Sequence, residues 1–242
     1  MTERGLPGKV AVVTGAGRGI GRSVARALSQ EGARVALLAR SQEQIDAVAE
    51  ELRSRGGEAI AQRADVSNED DVAQAFAHVA ELWGDVDLLV NNAGIGAFGE
   101  VATAAPEDLD RILATNVRGT LLCTQAALRS MMPRRQGTVI NIASVVGFRG
   151  YPRQGLYTAS KHAVMGLTKS LAIEAQEHNI RVSAILPGGV NTDMIGDARP
   201  DLDRSSLLQP EDIAKTVLFL VSLPEHAAVD EIYIRRRGST PF

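Results

Sequence analysis

The chain has 242 residues, a length that suits one large α/β domain. Its apolar share of 45% and charged share of 23% exclude a disordered chain and supply a core of adequate size. With 29 acidic against 26 basic residues the net charge is -3, so the overall electrostatic footprint of a nucleic-acid binder is missing. The single cysteine, Cys123, excludes an intrachain disulfide and a multi-cysteine zinc site. The amino terminus, Met-Thr-Glu-Arg-Gly-Leu-Pro-Gly-Lys, has no apolar stretch behind its charges. No run anywhere approaches 18 apolar residues. A soluble cytoplasmic protein with no membrane partner is the expectation.

Taken in order, short apolar runs alternate with stretches of helical period. Residues 9–14, 34–39, 59–63, 86–91, 138–143, 181–186 and 231–234 read as strands. Segments such as 19–30, 42–55 and 68–83 read as helices. Strands without alternation, for example Val10-Ala11-Val12-Val13, suit a sheet covered on both faces. The rhythm predicts an α/β fold, a Rossmann-like doubly wound parallel sheet of about seven strands with helices on both faces, as a single domain over 1–242. No linker, low-complexity tract or solenoid repeat interrupts it. Residues 194–209, with Pro200 and several charges, read as a mobile loop over a site.

The first strand runs into Thr14-Gly15-Ala16-Gly17-Arg18-Gly19-Ile20-Gly21, and a helical pattern follows. Such a turn points backbone N–H groups and a helix N-terminus at a phosphate. It is not the usual dinucleotide fingerprint, because Ile20 stands where the third glycine belongs. No Gly-Lys-Ser/Thr closes a nucleotide-triphosphate loop either, since Gly21 precedes Arg22. A tight structural turn without a ligand is the alternative.

Thr14-Gly15-x-x-x-Gly19-Ile20-Gly21 resembles the glycine pattern of the short-chain dehydrogenase/reductase family. Further along stand Asp65, Asn91-Asn92-Ala93-Gly94, Asn116, Ser144, Tyr157-Thr158-Ala159-Ser160-Lys161 and Pro187-Gly188-Gly189-Val190-Asn191-Thr192. These pieces match the family in order and spacing over most of the chain. The resemblance implies an oxidoreductase with Asn116, Ser144, Tyr157 and Lys161 as catalytic residues. It also implies a cofactor held by Gly15, Gly17, Arg18, Gly19, Ile20, Arg40, Asp65, Val66, Asn92, Ala93, Gly94, Tyr157, Lys161, Pro187, Gly188, Val190 and Thr192, and a homotetramer or homodimer.

Read residue by residue, the same positions support this chemistry while keeping plainer alternatives. Tyr157 and Lys161, four apart, share a helical face. Poising a phenol near 7 needs about 4 kcal/mol, and a unit charge at about 4 Å supplies that order of energy when the effective dielectric is about 20. A solvated helical pair is the alternative. Ser144 ends a buried strand where open α/β sheets bind ligands, although a cap would look alike. In the family this serine stabilises the substrate oxygen. Asn116 interrupts the apolar stripe Leu109, Ile112, Leu113, Val117, Leu121 of a helix opened by Pro106. It reads as a structural hydrogen-bonding group or, in the family, as a link through water to the lysine.

Ala39 stands where relatives specific for NAD carry an acidic residue, so Arg18 and Arg40 can meet a 2'-phosphate. NADP rather than NAD is expected. Asp65 and Val66 resemble the pair that contacts adenine, and Thr192 the residue that holds the nicotinamide amide; an aspartate there would otherwise cap a helix. The four histidines show no metal spacing, and no metal is expected. Arg129, Arg134 and Arg135, like Arg235 to Arg237, read as solvated helix or chain ends. Ile95, Phe98, Val145, Phe148, Gln154, Gly189 and Met194 predict a largely apolar substrate pocket.

Reduction of a carbonyl to an alcohol with NADPH, or the reverse, on a small, largely apolar substrate is therefore expected. The runner-up is the reaction of the family's 3-oxoacyl-(acyl carrier protein) reductases. Arg129 matches one of their docking arginines, but Ile173 replaces the second and the usual glycine-rich ending is altered. A non-catalytic NADP-binding sensor or scaffold is disfavoured because all four catalytic positions are intact.

Overall fold

A computed structural model describes residues 6–198 and 203–241. Residues 1–5 and Pro200, which entered the reading above, lie outside the described residues. The strands are β1 (Val10–Thr14), β2 (Arg34–Ala39), β3 (Ala59–Arg63), β4 (Leu88–Asn91), β5 (Gly137–Ile142), β6 (Ile180–Pro187) and β7 (Glu231–Ile234). They pair in parallel in the order β3-β2-β1-β4-β5-β6-β7. The connecting helices are α1 (Gly19–Gln30), α2 (Gln42–Ser54), α3 (Glu69–Trp83), α4 (Pro106–Leu113), α5 (Gly119–Arg134), α6 (Gly155–Gln176), α7 (Asp193–Ala198) and α8 (Pro210–Ser222). The doubly wound expectation holds.

The continuous apolar strands explain why both faces are covered. Successive side chains of a strand point to opposite faces, so Ala11 and Val13 join Val24, Leu28, Ile45 and Val217 of α1, α2 and α8 on one side. Val10 and Val12 join Phe76, Cys123 and Met131 of α3 and α5 on the other. Truncating a fully buried leucine such as Leu28 in either layer costs about 2–5 kcal/mol. Local signals set the helix starts. Ser41 caps α2 and Asn68 caps α3, each through its side-chain oxygen, while Pro106 opens α4 and Pro210 opens α8.

Two stretches depart from the sequence reading. Residues 114–118 form a π turn between α4 and α5, which breaks the simple 3.6-residue stripe at Asn116. The described part of the 194–209 stretch, expected as a mobile loop over a site, holds most of α7 and a 3-10 turn at Arg204–Ser206, and its Met194, Ile195 and Ala198 line the cavity described below. Its far end is tied back to the segment after β6, with Asn191 N donating to Leu208 O at 2.8 Å and Leu208 N to Gly189 O at 3.1 Å.

Strand order reverses between β1 and β4. Beyond the carboxyl ends of these strands, neighbouring loops diverge and leave a crevice.

Candidate active site

The crevice is a cavity of about 990 Å³ that runs from the glycine turn after β1 to the segment after β7. Thr14 anchors its floor: its hydroxyl accepts from the Asn92 and Ala93 backbone N–H groups, each at 3.0 Å. The Asn92 amide donates in turn to the Thr14 and Gly15 carbonyls at 3.0 and 3.2 Å, fastening the glycine turn to the end of β4. Glycine is required there by close approach. A Cβ at Gly21 would lie 2.3 Å from the Gly15 carbonyl oxygen, and Gly15, with φ +64°, would place one 2.9 Å from Ala93 Cα. The result is a bare backbone cradle at the start of α1, as a phosphate needs.

Every residue expected to hold a cofactor lines this cavity: the glycine turn, Arg40, Asp65 and Val66, Asn92 to Gly94, and Pro187, Gly188, Val190 and Thr192. Asp65 is half-buried. Its partial desolvation works against ionisation, but hydrogen bonds from the Ser67 hydroxyl and N–H, with help from Arg40 and Arg63, hold its carboxyl below the usual range. Arg18 reaches over the mouth to an ion pair with Asp193 at 2.5 Å, both side chains well exposed. The donor set fits a phosphorylated dinucleotide. A cradle without side chains is available for the pyrophosphate, two arginines stand at one end, and the carboxylate that would reject a 2'-phosphate is missing at Ala39. Ser41 and Gln44 also line this end. Sequence reasoning passed over them, although their place just after β2 and in the first turn of α2 was a usable signal.

Ser144, Tyr157 and Lys161 converge at the middle of the cleft. Ser144 stands two residues beyond β5 and caps a 3-10 turn at Val145–Gly147; its hydroxyl accepts from Val146 N at 3.3 Å and donates to the Pro187 carbonyl at 3.4 Å. Tyr157 and Lys161 stand one turn apart near the start of α6. Burial pushes the Tyr157 phenol up to about 12, and a hydrogen bond with Ser144 only partly offsets this. Burial likewise drives Lys161 down to about 8. Its ammonium donates to the Ile142 carbonyl at 2.9 Å and sits 5.8 Å from the Tyr157 ring centre. Burial thus works against the phenol poised near 7 that the Tyr157–Lys161 spacing predicts. The Lys161 ammonium gives a hydrogen bond to the backbone, and Tyr157 keeps its proton at neutral pH.

Asn116 does not line the cavity but is buried behind it, in the π turn. Its amide accepts from Ile95 N at 2.8 Å and donates to the Ile95 carbonyl and Ser160 hydroxyl, each at 3.0 Å. It therefore ties the loop after β4 to α6. A Cβ at Gly94 would lie 3.3 Å from its oxygen and 3.8 Å from Lys161 Nζ, so only backbone separates the two side chains.

Of the expected substrate contacts, Ile95, Phe98, Val145, Gln154, Gly189 and Met194 line the cavity. Phe98 packs edge-on against Tyr157 at 5.7 Å. Phe148 does not line it; the ring turns away and stacks edge-on against Tyr233 at 5.1 Å. In its place Arg149, Tyr151, Arg235, Arg236, Ser239 and Thr240 complete the wall. The reading of Arg235 to Arg237 as a solvated end is corrected for the first two, and that of Arg134 as well, since it pairs with Asp85 and Asp87. No local pattern announces such a tail, because its contacts are made across the fold. Cys123 is buried, and desolvation raises its thiol to about 12. Among the described residues no group of three or more His, Cys, Asp or Glu side chains could hold a metal, and no helix is long and apolar enough to cross a membrane.

Comparison with known proteins agrees with this geometry. A 3-oxoacyl-(acyl-carrier-protein) reductase of Staphylococcus aureus is 40% identical over 223 residues, covering 88% of this chain and 91% of the relative. An alcohol dehydrogenase from the archaeon Thermococcus sibiricus, complexed with 5-hydroxy-NADP, superposes with a TM-score of 0.89 at 33% identity, covering 97% of this chain and 99% of the other. A metagenomic short-chain oxidoreductase in complex with NADP gives 0.85 at 36% identity, with the same coverage. The short chain dehydrogenase family model matches residues 9–203, and the chain belongs to that family.

Proposed function

We propose that this chain is a single-domain, NADP(H)-dependent oxidoreductase that interconverts a carbonyl and an alcohol on a small substrate. One observation carries the reading: the Tyr157–Ser144 pair, with Lys161 buried one turn behind, opens into the same cavity as the glycine cradle and Arg18 and Arg40. The NADP-complexed relatives support the same cofactor. When bound, the cofactor supplies or accepts hydride. The chain's own residues do the rest. Ser144 orients the substrate oxygen, and Tyr157, protonated at neutral pH, gives that oxygen its proton during reduction. Lys161 brings positive charge to the phenol and to the floor by Gly94, while Asn116 fixes the loop that forms this floor. Arg18, on leaving Asp193, and Arg40 receive the 2'-phosphate.

The decisive measurement is NADPH oxidation with a panel of carbonyl compounds. Turnover of none of them, with NADPH still bound, would favour a silent sensor.

The relatives named as carrier-protein reductases favour a second reading. Arg129 is exposed on α5, as docking would need, but its expected companion position holds Ile173, 73% exposed on α6. A single arginine steers an acidic carrier weakly. A preference for the carrier-bound thioester over the free one that fades with salt would establish the carrier as partner. Leu121, Met132 and Ile173, exposed on α5 and α6, support burial against a second copy and a homodimer or homotetramer.

A further inference from the structure

The substrate end of the cleft carries charge that the reductase reading leaves unused. Beyond Ser144 and Tyr157 the wall includes Arg149, Arg235 and Arg236. The carboxylates lining the cavity are engaged elsewhere: Asp65 by Ser67 and the field of Arg40, Asp193 by Arg18. Among the described residues neither Arg149 nor Arg236 forms a salt bridge.

The three arginines are not equivalent. Arg235 is spent on structure, its Nη1 donating to the carbonyls of Arg236, Arg237 and Ser239 at 3.1, 3.2 and 2.6 Å, which curls the tail. Arg236 gives one nitrogen to the Ser206 hydroxyl at 3.3 Å and keeps the rest of its five N–H donors. Arg149, an exposed residue, rests over the Tyr151 ring at 5.1 Å, a cation–π contact that leaves its N–H donors for other partners.

Both arginines line the same cavity, and the segments that carry them touch. Phe148, immediately before Arg149, is stacked on Tyr233, two residues before Arg235. The tail starts beside the reaction centre, since Gly188 N donates to the Ile234 carbonyl at 2.7 Å and Pro187, next to it, accepts from Ser144.

We infer that the substrate is a small carbonyl compound bearing an anionic oxygen group, a carboxylate or a phosphate, and that Arg149 and Arg236 receive that group. The inference rests on the reductase reading and deepens it. Guanidinium forks match the paired oxygens of either anion. Ile95, Phe98 and Met194 line the rest of the site for a short apolar body. A protein of net charge -3 does not gather anions through its overall charge, so the attraction is local to this cavity.

Calorimetry with NADP+ present tests it on two matched pairs: 3-oxobutanoate against its methyl ester, and 3-oxobutanoyl-pantetheine with against without its 4'-phosphate. In one pair the charged member binds at least about tenfold more tightly, the worth of one charge-assisted hydrogen bond. The preference collapses in Arg149→Gln/Arg236→Gln, shrinks in Arg149→Lys, which keeps the charge but loses the fork, and fades with salt. Which pair responds identifies carboxylate or phosphate as the source. Equal binding within both pairs, or a preference that survives the double substitution, overturns the inference. Turnover with NADPH is followed separately. If charged and neutral probes are reduced with equal efficiency, the anion site falls and the reductase stands; charge-selective binding without turnover of any probe leaves the anion site and removes the reductase.

Discussion

Replacing Lys161 by methionine should stabilise the fold at neutral pH while removing activity. Lys161 is 5% exposed, and burial takes its ammonium from 10.5 down to about 8. A difference of about 2.5 units corresponds to about 3 kcal/mol. The folded-state value is the depressed one, so the unfolded chain holds this proton more tightly. Below pH 8 both states are protonated and the full cost of burying the charge is present; as pH rises from about 8 to 10.5 that cost is relieved. Methionine has similar length and no charge, but it loses the bond to the Ile142 carbonyl, worth about 1 kcal/mol. At pH 7 the variant should therefore be more stable by about 2 kcal/mol, and by pH 10.5 the order should vanish or invert. Urea unfolding of both proteins at pH 7, 8.5 and 10 gives the difference directly, because the other titrating groups cancel. A gap that stays constant with pH, or a variant less stable at pH 7, would refute the reasoning.

Tyr157→Phe removes only a hydroxyl, so turnover should fall by roughly 10²- to 10⁴-fold while NADPH binding, read by fluorescence titration, is kept; retention of a tenth of the rate is incompatible with the proton-donor role. Reduction should also slow as pH rises through about 8, where Lys161 loses its charge, and a flat profile from 7 to 9.5 would contradict that. Asn116→Ala strands the Ile95 N–H and carbonyl, and urea unfolding should show a loss of about 3 kcal/mol. Ala39→Asp with Arg40→Ala should move the kcat/KM preference toward NADH by at least about tenfold, one charged hydrogen bond being worth about 1.5–3 kcal/mol.

The parts of the molecule that were legible in its sequence are those governed by neighbours in the chain. Strands β2, β3 and β7 and helix α1 have the bounds that their apolar runs and helical period predict. The others shift by at most two residues at an end, as at β4, where Val86 and Asp87 precede the strand. The glycine turn, Ser144 and the Tyr157–Lys161 pair were visible because their spacings are short and fixed. What depends on distant packing was not visible. Phe148 turns away because Tyr233, 85 positions on in the numbering, offers it a ring. The tail from Arg235 to Thr240 forms a wall only once β7 has joined β6. The direction of the Tyr157 shift follows from how much water burial removes, which a four-residue spacing does not encode.

The π turn at residues 114–118 makes the number of residues here matter as much as their identity. In a plain α-helix one extra residue rotates everything downstream by about 100° about the axis, but the wider winding of a π turn absorbs it. Deleting one of the five would therefore leave a smooth α-helix in which Cys123, Ala127 and Met131 still face the sheet. What it would remove is the place from which Asn116 reaches both Ile95 and Ser160. In a library of single-codon deletions the fold should outlast a loss here better than the activity does.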